Sequence, residues 1–567
     1  MTEPDVPTGG AARRPPVGPP AVFGALAVAV AVLVAAVALD ARQPSPPAIS
    51  EFAPQAVEQI KRAQEQLAGQ LPGQGGSPTA AGSPRPTSSA SGRPGSPSPT
   101  PAPVIVPRVR QCVGSPPRQT EDPQSPPCVA YADPKLDNGG ATAPGVTRDT
   151  VTIAMPQQFL EDTSIPPHLV DFFNKRYEFY GRKLVLKPFA PSGCNGGPQP
   201  AKMRDDAIAV QQELQAFASL AYCNAQGADQ HYYDALAERR VISAVDGNLA
   251  TGTETAYSGH APYEWNVQAG TDRVLAETAE AVCAQLAGRP PMYAGGTQRT
   301  APVRRWGLIY TRAQDGTAPD VTPLRDGLRA CGVTLTEVRE DVTADASRNG
   351  VNAMVTMRNA GVTSLVCLCS VVDTRGIYMN AATGQGYQPE WLETSYGGND
   401  LDNSYSGGNA PPDQTGHILG LTFRNKLLPK QDMPWYWAVR EAAPNVDPSG
   451  NVYYAANSRY LQLLLLASGI QLAGPHLTPE SFASALRDAR FPNPGAQGAP
   501  YFQSRVGFAG PRHVMSADAA LFWYDPNRPG TIDPTVPGSI CYVDRGLRYP
   551  VGQIPRRAPA FFSGSCL

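Results

Sequence analysis

The hydrophobic pattern divides the chain into stretches of different character. Residues 21–39 (AVFGALAVAVAVLVAAVAL) form one uncharged apolar run. At about 1.5 Å per residue it spans roughly 28 Å, close to the hydrocarbon thickness of a bilayer. Residues 72–107 are almost entirely Pro, Ser, Gly, Thr and Ala. They bury too little apolar surface to offset the entropy of ordering, and a disordered linker is predicted. From about residue 145, short β-rich runs alternate with helix-spaced segments. Strands are predicted at 150–155 (TVTIAM), 183–189 (KLVLKPF), 216–223 (AFASLAYC) and 241–245 (VISAV), with helices at 168–180, 203–214 and 232–239 between them. A second series follows: helix 271–287, strand 306–310, helix 321–330, strand 334–339, helix 351–359 and strand 363–369. This order marks βαβ units and parallel sheets covered on both faces. The polar stretch 248–270 separates the series as a crossover between lobes would. The fold class expected is α/β, two Rossmann-like lobes behind an N-terminal transmembrane helix and a disordered linker.

The flanks of the apolar run bear on compartment. Arg13 and Arg14 precede it, and Asp40 and Arg42 follow. The positive-inside rule makes 1–20 a cytoplasmic tail and 21–39 a membrane anchor, with everything from Asp40 outside. A cleaved signal peptide is the competing reading, since Ala36-Val37-Ala38 is an acceptable small-x-small site. Both readings export the remainder. Residues 40–107 then form a stalk and linker, whose last 36 residues reach ~33 Å as a coil and up to ~110 Å as polyproline II. The run LQLLLLASGI at 461–470 is too short to span a bilayer and reads as a buried helix.

Composition narrows the function. The 567 residues carry 47 basic and 49 acidic groups, a net charge of −2. No basic stripe exists to attract nucleic acid. The 10 cysteines are expected to pair outside the cytoplasm. Cys112–Cys128 would tie a leading segment at 108–144, Cys541–Cys566 would tie the tail, and Cys194–Cys223 would join neighbouring strands. Cys283, Cys331, Cys367 and Cys369 stay unassigned. The last two point to one face of a strand and are not expected to bond each other. Cys-Leu-Cys lacks zinc spacing and no His cluster accompanies it, so neither metal nor cofactor is expected. No phosphate-binding loop, dinucleotide fingerprint, metalloprotease helix or nucleophile elbow is present, and no enzyme is expected. His260, His417 and His513 are scattered, and a hydrolase triad assembled across the fold remains the least favoured alternative.

Five segments together carry a resemblance: GVTRDTVTIAM at 145–155, FFNKRYEFYGRKLVL at 172–186, WGLIYTRAQDGTAPDVTPLRDGLRACGVTL at 306–335, GVTSLVCLCS at 361–370 and YAANSRYLQLLLLASGI at 454–470. In this order they resemble type 1 periplasmic binding proteins, the leucine/isoleucine/valine-binding class. The resemblance implies two lobes joined by three crossovers, closing on a small polar solute. It places lobe one at 145–262 plus 419–515, and lobe two at 263–418 plus a C-terminal return and extension at 516–567. It further implies a monomeric, extracytoplasmic protein serving an ABC permease. A membrane-tethered sensor or an envelope scaffold with a degenerate cleft is the alternative. Carried over position by position, the ligand would meet Gln157 and Gln158 after the first strand. It would meet Asn224 and Ala225 after the third, and Asp246, Gly247 and Asn248 after the fourth. Lobe two would contribute Tyr310, Ser370 and Glu393. Asn224 and Asp246 stand where the family has hydroxyl residues, and an unpaired Asp246 would repel a carboxylate.

Overall fold

In the computed structural model the described residues run from 110 to 566, apart from 111, 115–116, 162–164, 195–198, 221, 223–228, 247–251, 313–315, 342–345, 447, 449–452, 490, 492–503, 509–511 and 564–565. All of them belong to one compact unit, Pro103–Leu567. The expected membrane run at 21–39 and the linker at 72–107 lie outside the described residues. Among the described residues no helix is long and apolar enough to cross a membrane.

Five parallel strands form the first sheet in the order β2-β1-β3-β4-β5. They are β1 (Thr150–Pro156), β2 (Lys183–Phe189), β3 (Ala218–Leu220), β4 (Ile242–Val245) and β5 (Glu264–Asn266). Every residue of β1 after Thr150 is buried, as a central parallel strand requires. Helix α1 (Ile165–Arg176) follows it and buries Leu169, Val170, Phe172 and Phe173. Pro166 and Pro167 fit its first turn, where no intrahelical N–H is needed. The predicted helix at 168–180 therefore starts earlier and stops sooner; Tyr180 and Gly181 adopt φ of 57° and 86°, which no helix continues. Helices α2 (Pro200–Gln212) and α3 (Gln230–Glu238) complete the βαβ units.

The second sheet has eight strands, ordered β12-β11-β10-β9-β8-β6-β7 with β13 beside β11. They are β6 (Trp306–Arg312), β7 (Leu335–Asp341), β8 (Ser364–Leu368), β9 (Glu390–Thr394), β10 (Ile418–Thr422), β11 (Asp518–Pro529), β12 (Pro537–Tyr542) and β13 (Arg548–Pro550). β6 to β10 run parallel, and β11 pairs antiparallel with β10, β12 and β13. Helices α4 (Thr271–Ala281), α5 (Thr322–Arg329) and α6 (Ala346–Asn359) connect its parallel part. Helices α7 (Pro434–Ala442), α8 (Tyr453–Ala473) and α9 (Pro479–Asp488) return to the first sheet, with α7 and α8 packing on α1. The apolar run at 461–470 lies inside α8, which is buried along most of its 21 residues.

Two strands fall beyond two of the three expected changes of lobe, those at 262/263 and 418/419. β5 belongs to the first sheet, so the first crossing is 267–270 rather than 262/263. Its sequence, Glu-Trp-Asn, hides a strand whose polar groups are met by distant partners: Asn266 bonds the backbone of His513 and Met515 at 2.8 and 2.7 Å. β10 belongs to the second sheet, which moves the second crossing from 418/419 to 423–433. The third crossing returns to β11, and Ser516 Oγ donates to the Phe423 carbonyl at 3.0 Å, stitching it to the second.

Cys112–Cys128 and Cys541–Cys566 are bonded. Cys194 is also in a disulfide, and Cys223 lies outside the described residues. Cys283 pairs with Cys331. The expectation that Cys367 and Cys369 would not join is overturned, because they form a disulfide. β8 ends at Leu368, and the chain contracts to a Cα separation of 5.2 Å, shorter than the roughly 6.6 Å of an extended i, i+2 pair.

Candidate functional site

Strand order reverses between β1 and β3 in one sheet and between β6 and β8 in the other. Such switch points open crevices at the carboxyl ends of the strands. After β1, Gln157 donates its N–H to the Phe189 carbonyl at 2.7 Å. Gln158 then opens the short helix Gln158–Glu161. Asn224, Ala225, Gly247 and Asn248 lie outside the described residues.

Asp246, at the end of β4, is the centre of a charged network. Its carboxylate accepts from Gln268 in the first crossing and from Ser458 on α8. Arg424, in the second crossing, feels both Asp246 and Asp400. Burial works against its charge, but the two carboxylates outweigh burial and hold the guanidinium above its ordinary value. Arg424 Nε donates to Asp400 at 3.1 Å, and Asp400 also accepts from Ser395 and Thr422 at 2.7 and 2.5 Å. Arg424 is thus paired with Asp400 and lies within the electrostatic reach of Asp246.

Arg459 is a second cation beside Asp246. Its guanidinium lies 4.1 Å from the centre of the Phe159 ring and donates to Gln462. Burial pushes its pKa down to about 10, and no described residue hydrogen-bonds its Nε. Arg459 and Arg424 were not foreseen. A signal existed for the first: it is the one charged residue in the 21 of α8.

The lobe-two residues stand differently from expectation. Ser370 caps the turn Val371–Asp373; its hydroxyl accepts from the Asp373 N–H at 3.1 Å and donates to its carboxylate at 2.8 Å, so the group is engaged within its own turn. Gly397, at φ 70°, lets the loop after β9 pass against the Cys369 carbonyl, where a Cβ would collide. Tyr310 packs against the apolar cluster on the α5 side of the sheet. Glu393 is sealed inside lobe two with 0% exposure, and no described residue bonds either carboxylate oxygen. Burial pushes its pKa well above the carboxylate range.

A cavity of about 680 Å³ lies where the lobes meet. Asn403 and Asp533 line it from lobe two, Lys430 from the second crossing, and Trp435, Tyr453 and Tyr454 from lobe one. Trp435 is fully buried, and among the described residues its indole N–H has no hydrogen-bond acceptor. Tyr454 stands one helical turn before Ser458, which connects the cavity to the Asp246 network. The volume falls within the usual range for small-molecule sites, roughly 300–1,000 Å³. Of the residues expected at the ligand, none that is described lines it. Trp435 and Tyr453 are buried as well as cavity-lining.

The histidines serve local structure. His260 Nδ1 lies 2.6 Å from Glu264 Oε2, and this bond raises its pKa. His417 Nδ1 meets the Tyr293 carbonyl at 2.7 Å. His513 stacks on Trp265 with centroids 4.1 Å apart.

No protein-family model matches the chain, and no curated protein matches it. Solved structures of type 1 periplasmic binding proteins are similar to it. The leucine-, isoleucine-, valine-, threonine- and alanine-binding protein of Brucella ovis, in its closed conformation, is 13% identical with a TM-score of 0.49, covering 74% of this chain and 99% of that one. A substrate-binding protein of an Aeropyrum pernix ABC transporter is 12% identical at 0.48, covering 72% and 96%. A Rhodopseudomonas palustris HaA2 solute-binding protein, in complex with p-hydroxybenzoic acid, is 11% identical at 0.48, covering 72% and 98%. The described residues form an α/β architecture with two largely parallel sheets.

Proposed function

We propose that the chain is an extracytoplasmic solute-binding protein. It closes two lobes on a small polar ligand and, tethered through 21–39, serves an ABC importer. The observation that carries this reading is the cavity of about 680 Å³ between the lobes, walled by Trp435, Tyr453 and Tyr454, the last of which also acts electrostatically on Arg424. The mechanism is hinge closure: contacts from both lobes favour the closed state, and no bond is made or broken. A thermal-shift screen of the purified chain against amino acids, amides, polyamines and sugars tests it. A compound at 100 times its dissociation constant adds about 2.7 kcal/mol of stability. A second reading, a tethered sensor or scaffold with a degenerate cleft, is favoured by the self-engaged Ser370 and the sealed Glu393. A flat screen selects it.

A further inference from the structure

The segment between Cys112 and Cys128 is polar and Pro-rich, yet its tip is among the most deeply buried parts of the molecule. Gln119, Thr120, Asp122 and Ser125 are 0% exposed and Gln124 is 2% exposed. Burying polar groups brings no hydrophobic gain, so specific hydrogen bonds must hold the tip in place. Part of it grips lobe one: Gln119 Nε2 donates to the Arg176 carbonyl at the end of α1, and Ser125 Oγ lies 3.1 Å from Tyr177 Oη. Gln124 does something else. Its Nε2 donates to Ser504 O and Oγ, both at 3.0 Å, and its Oε1 accepts from Asn425 Nδ2 at 2.9 Å. The Ser504 N–H closes the ring by donating to Asn425 Oδ1 at 2.9 Å. Asn425 lies in the second crossing, and Ser504 opens the segment 504–507, which runs antiparallel beside the third crossing through bonds from Ala517 N–H to the Arg505 carbonyl at 2.8 Å and from Gly507 N–H to the Met515 carbonyl at 2.9 Å, so one side chain ties the second crossing to the segment paired with the third.

We propose that this disulfide-closed tip is a hinge clamp that sets the resting opening of the cleft. The inference rests on the closing motion proposed above, but not on any ligand. Lobe movement requires the crossings to change their backbone angles, and a side chain that ties the second to the segment paired with the third restrains that change.

The test uses the full chain without ligand and reads amide hydrogen exchange across 423–433 and 504–508, together with the radius of gyration in solution. Gln124→Ala is expected to raise exchange in both segments about tenfold or more, in line with the loss of hydrogen bonds worth about 1 kcal/mol each, and to shift the radius of gyration. Gln119→Ala cuts the same tip from α1 without touching either segment, and is expected to leave their exchange as in the parent. If Gln124→Ala does not fold, Asn425→Ala breaks the same ring from the hinge side and carries the same expectation. Unchanged exchange in both segments, or an equal rise in Gln119→Ala, overturns the clamp. A ligand screen that finds nothing leaves this test intact, so failure of the clamp and failure of the solute-binding reading are separable.

Discussion

Glu393→Gln makes the sharpest single prediction, because the parent side chain is an acid with 0% exposure and no hydrogen-bond partner among the described residues. Burial raises its folded-state pKa well above that of the unfolded chain. The folded protein therefore keeps a proton that the unfolded chain has already released. The contribution of Glu393 to stability is full below the unfolded-state pKa of about 4.3 and is lost as pH rises toward the folded-state value, at up to about 1.4 kcal/mol per pH unit. Glutamine has nearly the same shape, lacks the proton and stays neutral. The two proteins should differ least at pH 5, and the variant should gain on the parent as pH rises from there. Urea unfolding with disulfides intact, followed by tryptophan fluorescence at pH 5, 6, 7 and 8, reads the difference directly. A difference that stays constant with pH, or a variant that loses ground as pH rises, refutes the reasoning. It would also mean that Glu393 is ionised in the folded protein and has a cationic partner.

His513, pushed down to about 4 by burial, is neutral when folded, so stability should fall by about 3 kcal/mol as pH drops from about 6.5 to about 4; His513→Phe, which preserves stacking on Trp265, should flatten that window in the same denaturation assay. Cys283→Ala/Cys331→Ala opens a loop of sequence separation 48 and should cost about 4 kcal/mol by chain entropy. Cys367→Ala/Cys369→Ala, at separation 2, should cost under about 2 kcal/mol; equal losses in calorimetry would contradict the assignment. Arg304 is fully buried and holds Glu390 through two bonds of 2.7 and 2.8 Å, so Arg304→Met should cost about 3–5 kcal/mol, and Arg304→Met/Glu390→Leu should recover much of it.

The sequence revealed most where burial is repetitive. KLVLKPF at 183–189 coincides with β2, and the strands at 150–155 and 363–369 lie within a residue or so of β1 and β8. It concealed elements whose polar residues find partners far along the chain. Glu390 in β9 is neutralised by Arg304, 86 residues away, and the Glu264 carboxylate in β5 accepts from Gln230, 34 residues away, as well as meeting its near neighbour His260. A local pattern of charged residues does not read as a buried strand when the compensating group is distant. The site follows the same rule. Asp246 was visible, but its electrostatic interaction with Arg424 and Arg459 depends on helices and crossings that return from the far lobe. The cavity needs the loop at 402–409 and the hairpin tip at 530–538 to meet Trp435 and Tyr453, a convergence no spacing rule encodes. Gln124 lay in a leading segment marked in the sequence only by its bracketing cysteines, yet 380 residues separate it from the serine it holds.

Scattering in solution on the purified chain, with and without a compound that raises its melting temperature, measures the claimed motion itself. Closure of the two sheets around the interlobe cavity should reduce the radius of gyration at saturation, and Tyr454→Ala should abolish both the thermal shift and the contraction. A compound that binds tightly while the radius stays unchanged would contradict hinge closure.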